Sequence, residues 1–241
     1  MSTSFKDCTM WNLYVPRGLK YPSFDRTCVN AKNIYVEDIK AWAENSFVVD
    51  IGYYGSEPLK YNLYLNGELV VNLVIPENMT VVPQRAFRYC KSIETVTLHD
   101  KVTYVSGFSY CDNLREVIIP NGVEEIGEMA FSRCNALTSI HIPSSVKKIG
   151  RIAFGYSPNL KTVYFDDLES MLNIEYAEAE VDTTSSPLRI AENVYVNNVK
   201  ISDIVVPESI TEIRPLSLVG PWVKSVRLHD KVTKIREYAF G

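Results

Sequence analysis

Apolar residues recur along this chain with a period of 23 residues. The clearest repeats, residues 117–139 and 140–162, follow the pattern V-x-I-P-x-x-V-x-x-I-G-x-x-A-F-x-x-C-x-x-L-x-x, the second with isoleucine at the first position and serine at the cysteine position. The same spacing returns with small offsets in residues 72–94 and 95–116. A repeat of this length is one supersecondary unit that cannot bury its apolar face alone. We therefore predict a solenoid of stacked coils, in which each coil covers its neighbour.

Each repeat contains two short apolar edges that face a common interior. In the first edge, Val117 and Ile119 alternate with an outward residue, and this alternation places both side chains on one face of a strand. Pro120 then ends the strand, because proline cannot donate a ladder hydrogen bond. In the second edge, Val123 and Ile126 point to the same interior.

A glycine and an Ala-Phe pair follow the second edge of both clear repeats. We expect Gly127 and Gly150 to permit the turn that follows, because glycine adopts backbone angles that other residues avoid. The Ala-Phe pairs are predicted to fill the interior, and they are Ala130-Phe131 and Ala153-Phe154.

All five cysteines fall at one phase of this repeat. Each follows a phenylalanine by three or four residues, and the five are Cys8, Cys28, Cys90, Cys111 and Cys134. Cysteines that recur with the period of a fold occupy core positions, whereas catalysis requires no such period. We therefore expect buried free thiols. A disulfide between cysteines of successive coils is the alternative.

A longer period of about 130 residues lies above the short one. It appears as three pairs of similar segments: 34–42 with 163–171, 57–76 with 186–207, and 98–103 with 228–233. The chain is therefore predicted to hold one copy of a larger module and part of a second. The regular repeats occupy 72–162 and resume at 201–241, and an insertion breaks the short period in each copy, at about 38–62 and 167–193.

Each insertion is predicted to start with a short helix and to lead into a β-hairpin. The acidic pairs at residues 37–38 and 166–167 precede apolar residues and can provide helix N-caps. Asn66-Gly67 lies between apolar strands and is a strong signal for a type I′ turn. Asn197-Asn198 holds the same place in the second copy, and asparagine also tolerates a positive φ.

The middle residue of each first-edge strand faces away from the core, so these residues form a column on the outer face of the sheet. We predict that this column binds a ligand, because exposed aromatic and aliphatic side chains aligned on a sheet form contact surfaces. Its residues are Tyr35, Val74, Thr97, Ile118, His141, Tyr164, Val205 and Arg227, with Tyr14 before them and with Tyr64 and Tyr195 in the hairpin strands. The alternative is that the column only packs across strands and stabilises the sheet.

Composition narrows the class of function. The chain has 241 residues, a net charge of −4 and 46% hydrophobic residues. The negative charge gives no electrostatic support for a nucleic-acid partner. No stretch approaches the ~18 apolar residues of a membrane-spanning helix. The first residues lack the charged and apolar regions of a signal peptide.

Residues that could carry chemistry are few and scattered. Of the three histidines, His99 and His229 hold the same place in the duplicated string LHDKVT, and we predict that both are structural. His141 points outward and is a candidate ligand contact. The short motifs of zinc, nucleotide and nucleophile sites do not occur. The sequence therefore predicts no enzyme, no metal site and no cofactor.

The repeat resembles the BspA-like, or TpLRR-type, leucine-rich repeats of bacterial and protist surface proteins. The residues that carry the resemblance are Ile119-Pro120, Val123, Ile126-Gly127, Ala130-Phe131, Cys134 and Leu137, with the segment NLYLNGELVVNLVIPENM. The departures are Ser157 and Pro221 in the cysteine position and Ser217-Leu218 in the Ala-Phe position. The resemblance implies adhesion or host-surface recognition, at the cell surface or after secretion.

We therefore predict a right-handed, β-rich leucine-rich-repeat solenoid over residues 1–241, with one parallel sheet, short turns or 3-10 segments and the two insertions. About nine parallel strands are predicted to end near residues 16, 37, 76, 99, 120, 143, 166, 207 and 229. The predicted function is non-enzymatic recognition of a protein, either a host-surface protein or a second copy bound head-to-tail. Glycan or cell-wall binding, and a structural spacer in a longer surface protein, are the alternatives.

The sequence shows no polar capping repeat of the kind that closes solenoids. We therefore expect a fragment of a longer array, or a second copy that covers the last coil. The apolar groups expected to need this cover are Val226, Leu228, Val232, Ile235 and Phe240.

Overall fold

The computed structural model describes residues 11–18, 31–45, 60–177 and 186–240. Over these residues the chain forms a β-solenoid, whose coils lie against one another through parallel strand pairs and a shared apolar interior. The predicted fold class is therefore confirmed. The predictions for Cys8 and Cys28 lie outside the described residues.

Twenty short strands lie in the described part of the chain. In order they are β1 (Asn12–Val15), β2 (Asn33–Val36), β3 (Asn62–Leu65), β4 (Glu68–Leu69), β5 (Asn72–Val74), β6 (Val81–Val82), β7 (Thr95–Thr97), β8 (Tyr104–Val105), β9 (Glu116–Ile118), β10 (Glu125–Ile126), β11 (Ser139–Ile142), β12 (Lys148–Ile149), β13 (Thr162–Phe165), β14 (Glu175–Tyr176), β15 (Asn193–Val196), β16 (Val199–Ile201), β17 (Asp203–Val205), β18 (Glu212–Ile213), β19 (Ser225–Arg227) and β20 (Lys234–Ile235). The predicted strands correspond to β1, β2, β5, β7, β9, β11, β13, β17 and β19, and each ends one or two residues before its predicted position.

The first side of the solenoid carries these strands together with the hairpins β3–β4 and β15–β16. Its hydrogen-bonded ladders are β1-β2-β3-β4, β5-β7-β9, β11-β13-β15-β16 and β17-β19. All of these pairs are parallel except the two hairpin pairs. The structure thus has four ladders where one sheet was predicted. An antiparallel strand ends the ladder at β4 and at β16, and β9 lies beside β11 without pairing to it.

The second side is built from two-residue strands at the second apolar edge of each repeat. They form the parallel ladders β6-β8-β10-β12-β14 and β18-β20. Val123 and Ile126 on this side are fully buried, as are Ile149 and, almost completely, Val146. Both apolar edges of the repeat therefore face one interior, as the sequence pattern predicts.

Each insertion starts with a helix that an aspartate caps. In α1 (Ile39–Asn45), Asp38 Oδ1 accepts a hydrogen bond from the Ala41 backbone N–H at 2.9 Å. In α2 (Leu168–Asn173), Asp167 Oδ1 accepts from the Ser170 N–H at 2.7 Å. A short 3-10 helix, Pro187–Arg189, follows in the second insertion. Both predicted helix starts are confirmed.

Left-handed backbone angles form both hairpin turns. The φ angles are 51° at Asn66 and 88° at Gly67 in the first hairpin, and 49° at Asn197 and 62° at Asn198 in the second. Positive φ at both central residues is what a type I′ turn requires. The asparagine and glycine signals in the sequence therefore predicted both turns correctly.

A stack of four phenylalanines fills the centre of the regular coils. The ring centroids of Phe87, Phe108, Phe131 and Phe154 are successively 5.2, 5.7 and 5.7 Å apart, and neighbouring rings lie within 23° of parallel. All four rings are fully buried. Stacked aromatic pairs stabilise a core beyond the apolar area that they bury, so this row links the coils along the solenoid axis.

The cysteine position lies next to this stack and connects successive coils. Cys111 and Cys134 each donate from Sγ to the carbonyl of the phenylalanine in the preceding coil, at 3.2 Å. Ser157 makes the same bond from Oγ to the carbonyl of Phe131, at 3.0 Å. Ser157 departs from the repeat consensus but therefore makes the same hydrogen bond as the cysteines.

The turn after the second edge is not made by glycine, and that prediction is wrong in its mechanism. Gly127 and Gly150 do not have positive φ angles, whereas Met129 (53°) and Ile152 (56°) do. The glycines are needed for close packing instead. A Cβ built on Gly150 would lie 2.5 Å from the backbone nitrogen of Glu128 in the preceding coil.

Candidate functional site

The predicted outward column lies on the first-side ladders, and strand pairing aligns its members into short rows. The aligned groups are Tyr14 with Tyr35 and Tyr64, Val74 with Thr97 and Ile118, His141 with Tyr164 and Tyr195, and Val205 with Arg227. Each ladder therefore carries one row of the predicted surface. The ladder breaks separate the rows.

Four members of the column leave large apolar side chains open to solvent. The exposed fractions are 69% for Tyr14, 65% for Val74, 50% for Ile118 and 62% for Val205. In β5, β9 and β17 the residues on either side of the exposed one are buried. The alternation of inward and outward positions is therefore as the sequence predicts.

Stacked tyrosines form two of the rows. Ring centroids are 4.6 Å apart for Tyr14 and Tyr35, 4.5 Å for Tyr35 and Tyr64, and 4.9 Å for Tyr164 and Tyr195. The rings are near parallel, at 14°, 17° and 22°. Neighbouring rings therefore cover one another's faces, which leaves ring edges and hydroxyl groups for contact with a ligand. This packing also matches the alternative in which the column stabilises the sheet.

An asparagine row beside the first tyrosine stack was not predicted. Asn33 Nδ2 donates to Asn12 Oδ1, and Asn62 Nδ2 donates to Asn33 Oδ1, both at 2.9 Å. In the next ladder Thr95 Oγ1 donates to Asn72 Oδ1 at 2.8 Å. The signal that could have revealed the row is the asparagine that starts each of the segments NLYV, NIYV and NLYL.

His141 is held in place by an aspartate that was predicted to act only in a turn or cap. His141 Nε2 lies 2.9 Å from Asp166 Oδ1, and Asp166 Oδ2 accepts from the Ser144 backbone N–H at 2.8 Å. The cap of α2 is provided by Asp167 alone. Asp166, His141 and Tyr164 line a depression of about 370 Å³ beside the second hairpin.

A second depression lies where β9 and β11 are adjacent without a ladder. It has a volume of about 290 Å³, and its lining includes Glu116, Ile118, Ser139 and His141. Tyr164 lines both depressions. Both depressions of the column therefore adjoin His141 and Tyr164.

His99 and His229 form the same structural bonds in both copies of the module. The Nε2 atom of His99 lies 2.9 Å from the carbonyl of Pro76, and that of His229 lies 2.9 Å from the carbonyl of Pro207. In each ring Nδ1 accepts from a backbone N–H two residues later, so Nε2 is the donor. Both ring nitrogens are thus used within the solenoid, in line with the predicted structural role.

The described cysteines lie in the core of the solenoid. Cys90, Cys111 and Cys134 are free and fully buried, as predicted. Burial raises the pKa of all three thiols, and a thiol is a poor nucleophile until it ionises. Within the described ranges no group of His, Cys, Asp and Glu could hold a metal ion, and no helix is long and apolar enough to cross a membrane.

Comparison with solved structures finds bacterial leucine-rich repeat proteins. The leucine rich repeat protein TpLRR of T. pallidum is 18% identical, with a TM-score of 0.43, and the alignment covers 65% of this chain and 69% of that one. The pneumococcal vaccine antigen PcpA is 16% identical, with a TM-score of 0.48, and 87% of this chain matches 50% of that one. A leucine rich cell surface protein from Faecalibacterium prausnitzii is 18% identical, with a TM-score of 0.41, over 70% of this chain and 60% of that one.

This chain therefore spans half of PcpA and 60% of the F. prausnitzii protein. A comparison with curated proteins gave no match. The sequence profile described as a BspA type leucine rich repeat region matches residues 59–178 and 176–241, in six copies. That match covers most of the chain and includes the regular coils with their buried cysteine position, so this protein belongs to the BspA-type leucine-rich repeat family.

Proposed function

We propose that this protein recognises a protein partner through the outer face of its first side. The carrying observation is the column itself, in which Tyr14, Val74, Ile118 and Val205 are each at least half exposed, in three of the four first-side ladders. Large apolar side chains aligned on one exposed face mark interaction surfaces. A repeat protein of this family is of the interaction or adhesion type, and the proposal locates the interaction on this face.

The tyrosine geometry favours a protein over a glycan. Sugar rings bind tyrosine by lying on the face of the ring, but the faces between Tyr14, Tyr35 and Tyr64 are covered by stacking at 4.5 and 4.6 Å. The same holds between Tyr164 and Tyr195. Ring edges, hydroxyls and the aliphatic Val74, Ile118 and Val205 suit the mixed apolar and polar surface of a folded protein. A glycan partner and a purely structural spacer are the competing functions.

Adhesion at a cell surface or after secretion is the setting that we propose for this contact. The support is the family of this chain. Its repeats resemble those of bacterial and protist surface proteins, and that resemblance led to the same expectation from the sequence. Non-enzymatic action is part of the same proposal. Its support is the raised pKa of the buried thiols and the structural bonding of His99 and His229.

Site-specific crosslinking tests the proposed face. A photo-reactive amino acid at position 118 should crosslink a protein partner from a host-cell surface extract, and the same probe at Lys148, exposed on the second side, should not. Unlabelled protein should compete, whereas Ile118→Lys competitor should not, because a charge replaces an exposed apolar contact. Equal crosslinking from both positions would show that the face is not selective, and a glycan array hit would support the competing function.

A matched pair of substitutions checks the assignment of inside and outside that this proposal requires. Ile118→Ala should change the free energy of unfolding by less than about 1 kcal/mol, because the side chain is half exposed. Ile119→Ala removes a buried side chain and should cost about 2–5 kcal/mol. Chemical denaturation measures both. Equal losses would contradict the placement of the two residues on opposite faces.

A further inference from the structure

A second column lies on the third side of the coils, the segments 83–91, 106–114, 127–137 and 150–160 between the second edge and the next strand. It is formed by Tyr89, Tyr110, Arg133 and Tyr156, which occupy one phase of the repeat. All four have left-handed backbone angles, with φ of 66°, 63°, 57° and 60°. Such angles are uncommon for residues other than glycine. These four residues form a corner of their coils, and this corner is thus held in a costly backbone conformation in four successive coils.

Two arginines contact the tyrosine rings along this corner. The Arg88 guanidinium lies 4.7 Å from the ring centroid of Tyr89 and 5.2 Å from that of Tyr110. The Arg133 guanidinium lies 5.3 Å from the Tyr110 centroid and 4.7 Å from that of Tyr156. The Tyr89 and Tyr110 rings contact each other directly, with centroids 4.6 Å apart, so Arg88 lies beside this pair, whereas Arg133 makes cation–π contacts with Tyr110 and with Tyr156. Two tyrosine rings fix the plane of Arg133 from both sides.

This side is basic although the chain is acidic. Its segments contain five basic residues and two acids: Arg85, Arg88, Lys91, Arg133 and Arg151 against Asp112 and Glu128. Both acids are already paired, Asp112 with Lys60 and Glu128 with Arg151. Arg133 is exposed, and no carboxylate among the described residues pairs with it. Its planar fork of N–H donors therefore faces solvent in a fixed orientation.

We propose that this arginine–tyrosine stack is a carboxylate-binding site for an acidic, extended segment of a protein partner. A stacked guanidinium presents two parallel N–H donors that match a carboxylate, which a point charge such as lysine cannot do. The two rings hold the side chain in place, so less conformational entropy is lost on binding.

The stack suits a segment whose carboxylates are spaced apart. Arg133 is its exposed cation and offers one bidentate contact, whereas Arg88 is only partly exposed. An extended peptide places alternate side chains on one face about 7 Å apart, so a peptide with acidic residues separated by one residue presents its carboxylates to Arg133 one at a time. A sulfated glycan carries a charge on nearly every unit, and one exposed guanidinium can pair with only one of them, so its remaining charges face a chain whose net charge is −4. The acidic peptide is therefore the occupant that the charges favour.

The test uses the full chain and a fluorescein-labelled hexapeptide of alternating glutamate and glycine, with a glutamine–glycine peptide as its uncharged match. Fluorescence anisotropy should show binding of the glutamate peptide only, and the affinity should fall as salt is raised. Arg133→Lys should weaken binding about tenfold or more, because it keeps the charge and loses the fork and the stack. The control variant is Arg236→Gln. It removes one positive charge at an arginine that is paired with Glu212, away from the stack, and it should leave the affinity for the peptide unchanged.

Two further measurements separate binding from stability. Thermal unfolding is followed for the Arg133→Lys protein. Peptide affinity and thermal unfolding are also measured for Tyr156→Leu, which removes one exposed ring of the stack. Loss of peptide affinity with an unchanged unfolding temperature supports the site. If the peptides bind equally, if Arg133→Lys binds as wild type does, or if stability alone changes, the stack is only structural. Stronger binding of a sulfated oligosaccharide than of the glutamate peptide would overturn the peptide assignment. Ile118→Lys should retain peptide binding, so this outcome is independent of the proposed first-side function.

Discussion

At the scale of single residues, the cysteine position is defined by a hydrogen bond as well as by size. Cys134 Sγ donates to the Phe108 carbonyl in the preceding coil, and Ser157 donates to Phe131 one coil later. Both side chains are fully or almost fully buried. The repeat therefore accepts a thiol or a hydroxyl at this place, because each can donate to the carbonyl of the coil before it.

This bond predicts how Cys134 tolerates change. Cys134→Ser should cost less than about 1 kcal/mol, since serine already makes the equivalent bond at position 157. Cys134→Val keeps an apolar side chain of similar size but removes the donor, and we expect it to cost about 1 kcal/mol more than serine. Urea denaturation measures the difference. A valine variant as stable as the serine variant would show that size alone decides this position.

Residue-scale predictions from the sequence succeeded for positions and failed for partners. Periodicity placed Cys90, Cys111 and Cys134 inside the coils, because an apolar residue at a repeated phase must face the interior. It could not identify the phenylalanine carbonyl as acceptor, since that atom belongs to the preceding coil. The asparagine row and the Asp166–His141 contact were missed for the same reason.

At the scale of the element, the glycine after β12 sets how closely two coils approach. Gly150 lies so near the preceding coil that a Cβ would meet the backbone of Gly127 and Glu128 at 2.6 and 2.5 Å. Backbone cannot move aside as the end of a side chain can. The contact therefore fixes the spacing of coils at β10 and β12.

Gly150→Ala should destabilise the protein by about 1–3 kcal/mol, the cost of forcing an extra group into a packed region. Gly18→Ala is the matched control, because nothing lies within 4 Å of a Cβ built on Gly18, and it should change stability by less than about 0.5 kcal/mol. Differential scanning calorimetry of both variants tests this. Similar melting temperatures for the two alanine variants would contradict the close approach.

Elements with local signals were predicted well. The two asparagine turns and the aspartate caps of α1 and α2 depend on residues within a few positions of one another, so one stretch of sequence contains the whole cause. The division of the first side into four ladders was not predicted. Whether β9 pairs with β11 depends on how two neighbouring coils pack against each other, and the sequence of a single repeat does not determine that packing.

At the scale of the whole molecule, buried thiols and phenols make the free energy of unfolding depend on pH in the alkaline range. Burial raises the pKa of the Cys90, Cys111 and Cys134 thiols and of the Tyr61 and Tyr176 phenols. In the unfolded chain these groups ionise near their ordinary values, about 8.5 for thiols and about 10 for phenols. Above those values the unfolded chain binds fewer protons than the folded one, so stability falls as pH rises.

We therefore expect the free energy of unfolding to be insensitive to these groups up to about pH 8 and to decrease between about pH 8.5 and 11. Urea denaturation across this range measures the decrease. The double variant Cys111→Ser, Cys134→Ser should lose less stability between about pH 8 and 9.5 than wild type, since serine does not ionise there. A flat profile in wild type would show that these groups ionise equally in both states.

The solenoid fold of the described residues followed from one number, the 23-residue period, because a repeated apolar pattern has few ways to bury itself other than stacking. The location of the surface column followed from the alternation within each strand. The function of the column did not follow from the sequence, since a row of stacked tyrosines has the same sequence pattern whether it binds a partner or only stabilises the sheet. The arginine–tyrosine corner gave no periodic apolar signal and emerged only from the backbone angles and ring distances.

The missing ladder between β9 and β11 has a consequence for the curvature of the solenoid. On the second side β10 pairs with β12, and on the third side the Ala136 N–H donates to the Asp112 carbonyl at 3.0 Å, so the two coils remain joined there. On the first side, widening the gap breaks no strand ladder. The joined sides can act as a pivot about which the first-side surface flattens or bows, so we expect the proposed surface to change shape between Ile118 and His141, which lie on either side of the gap.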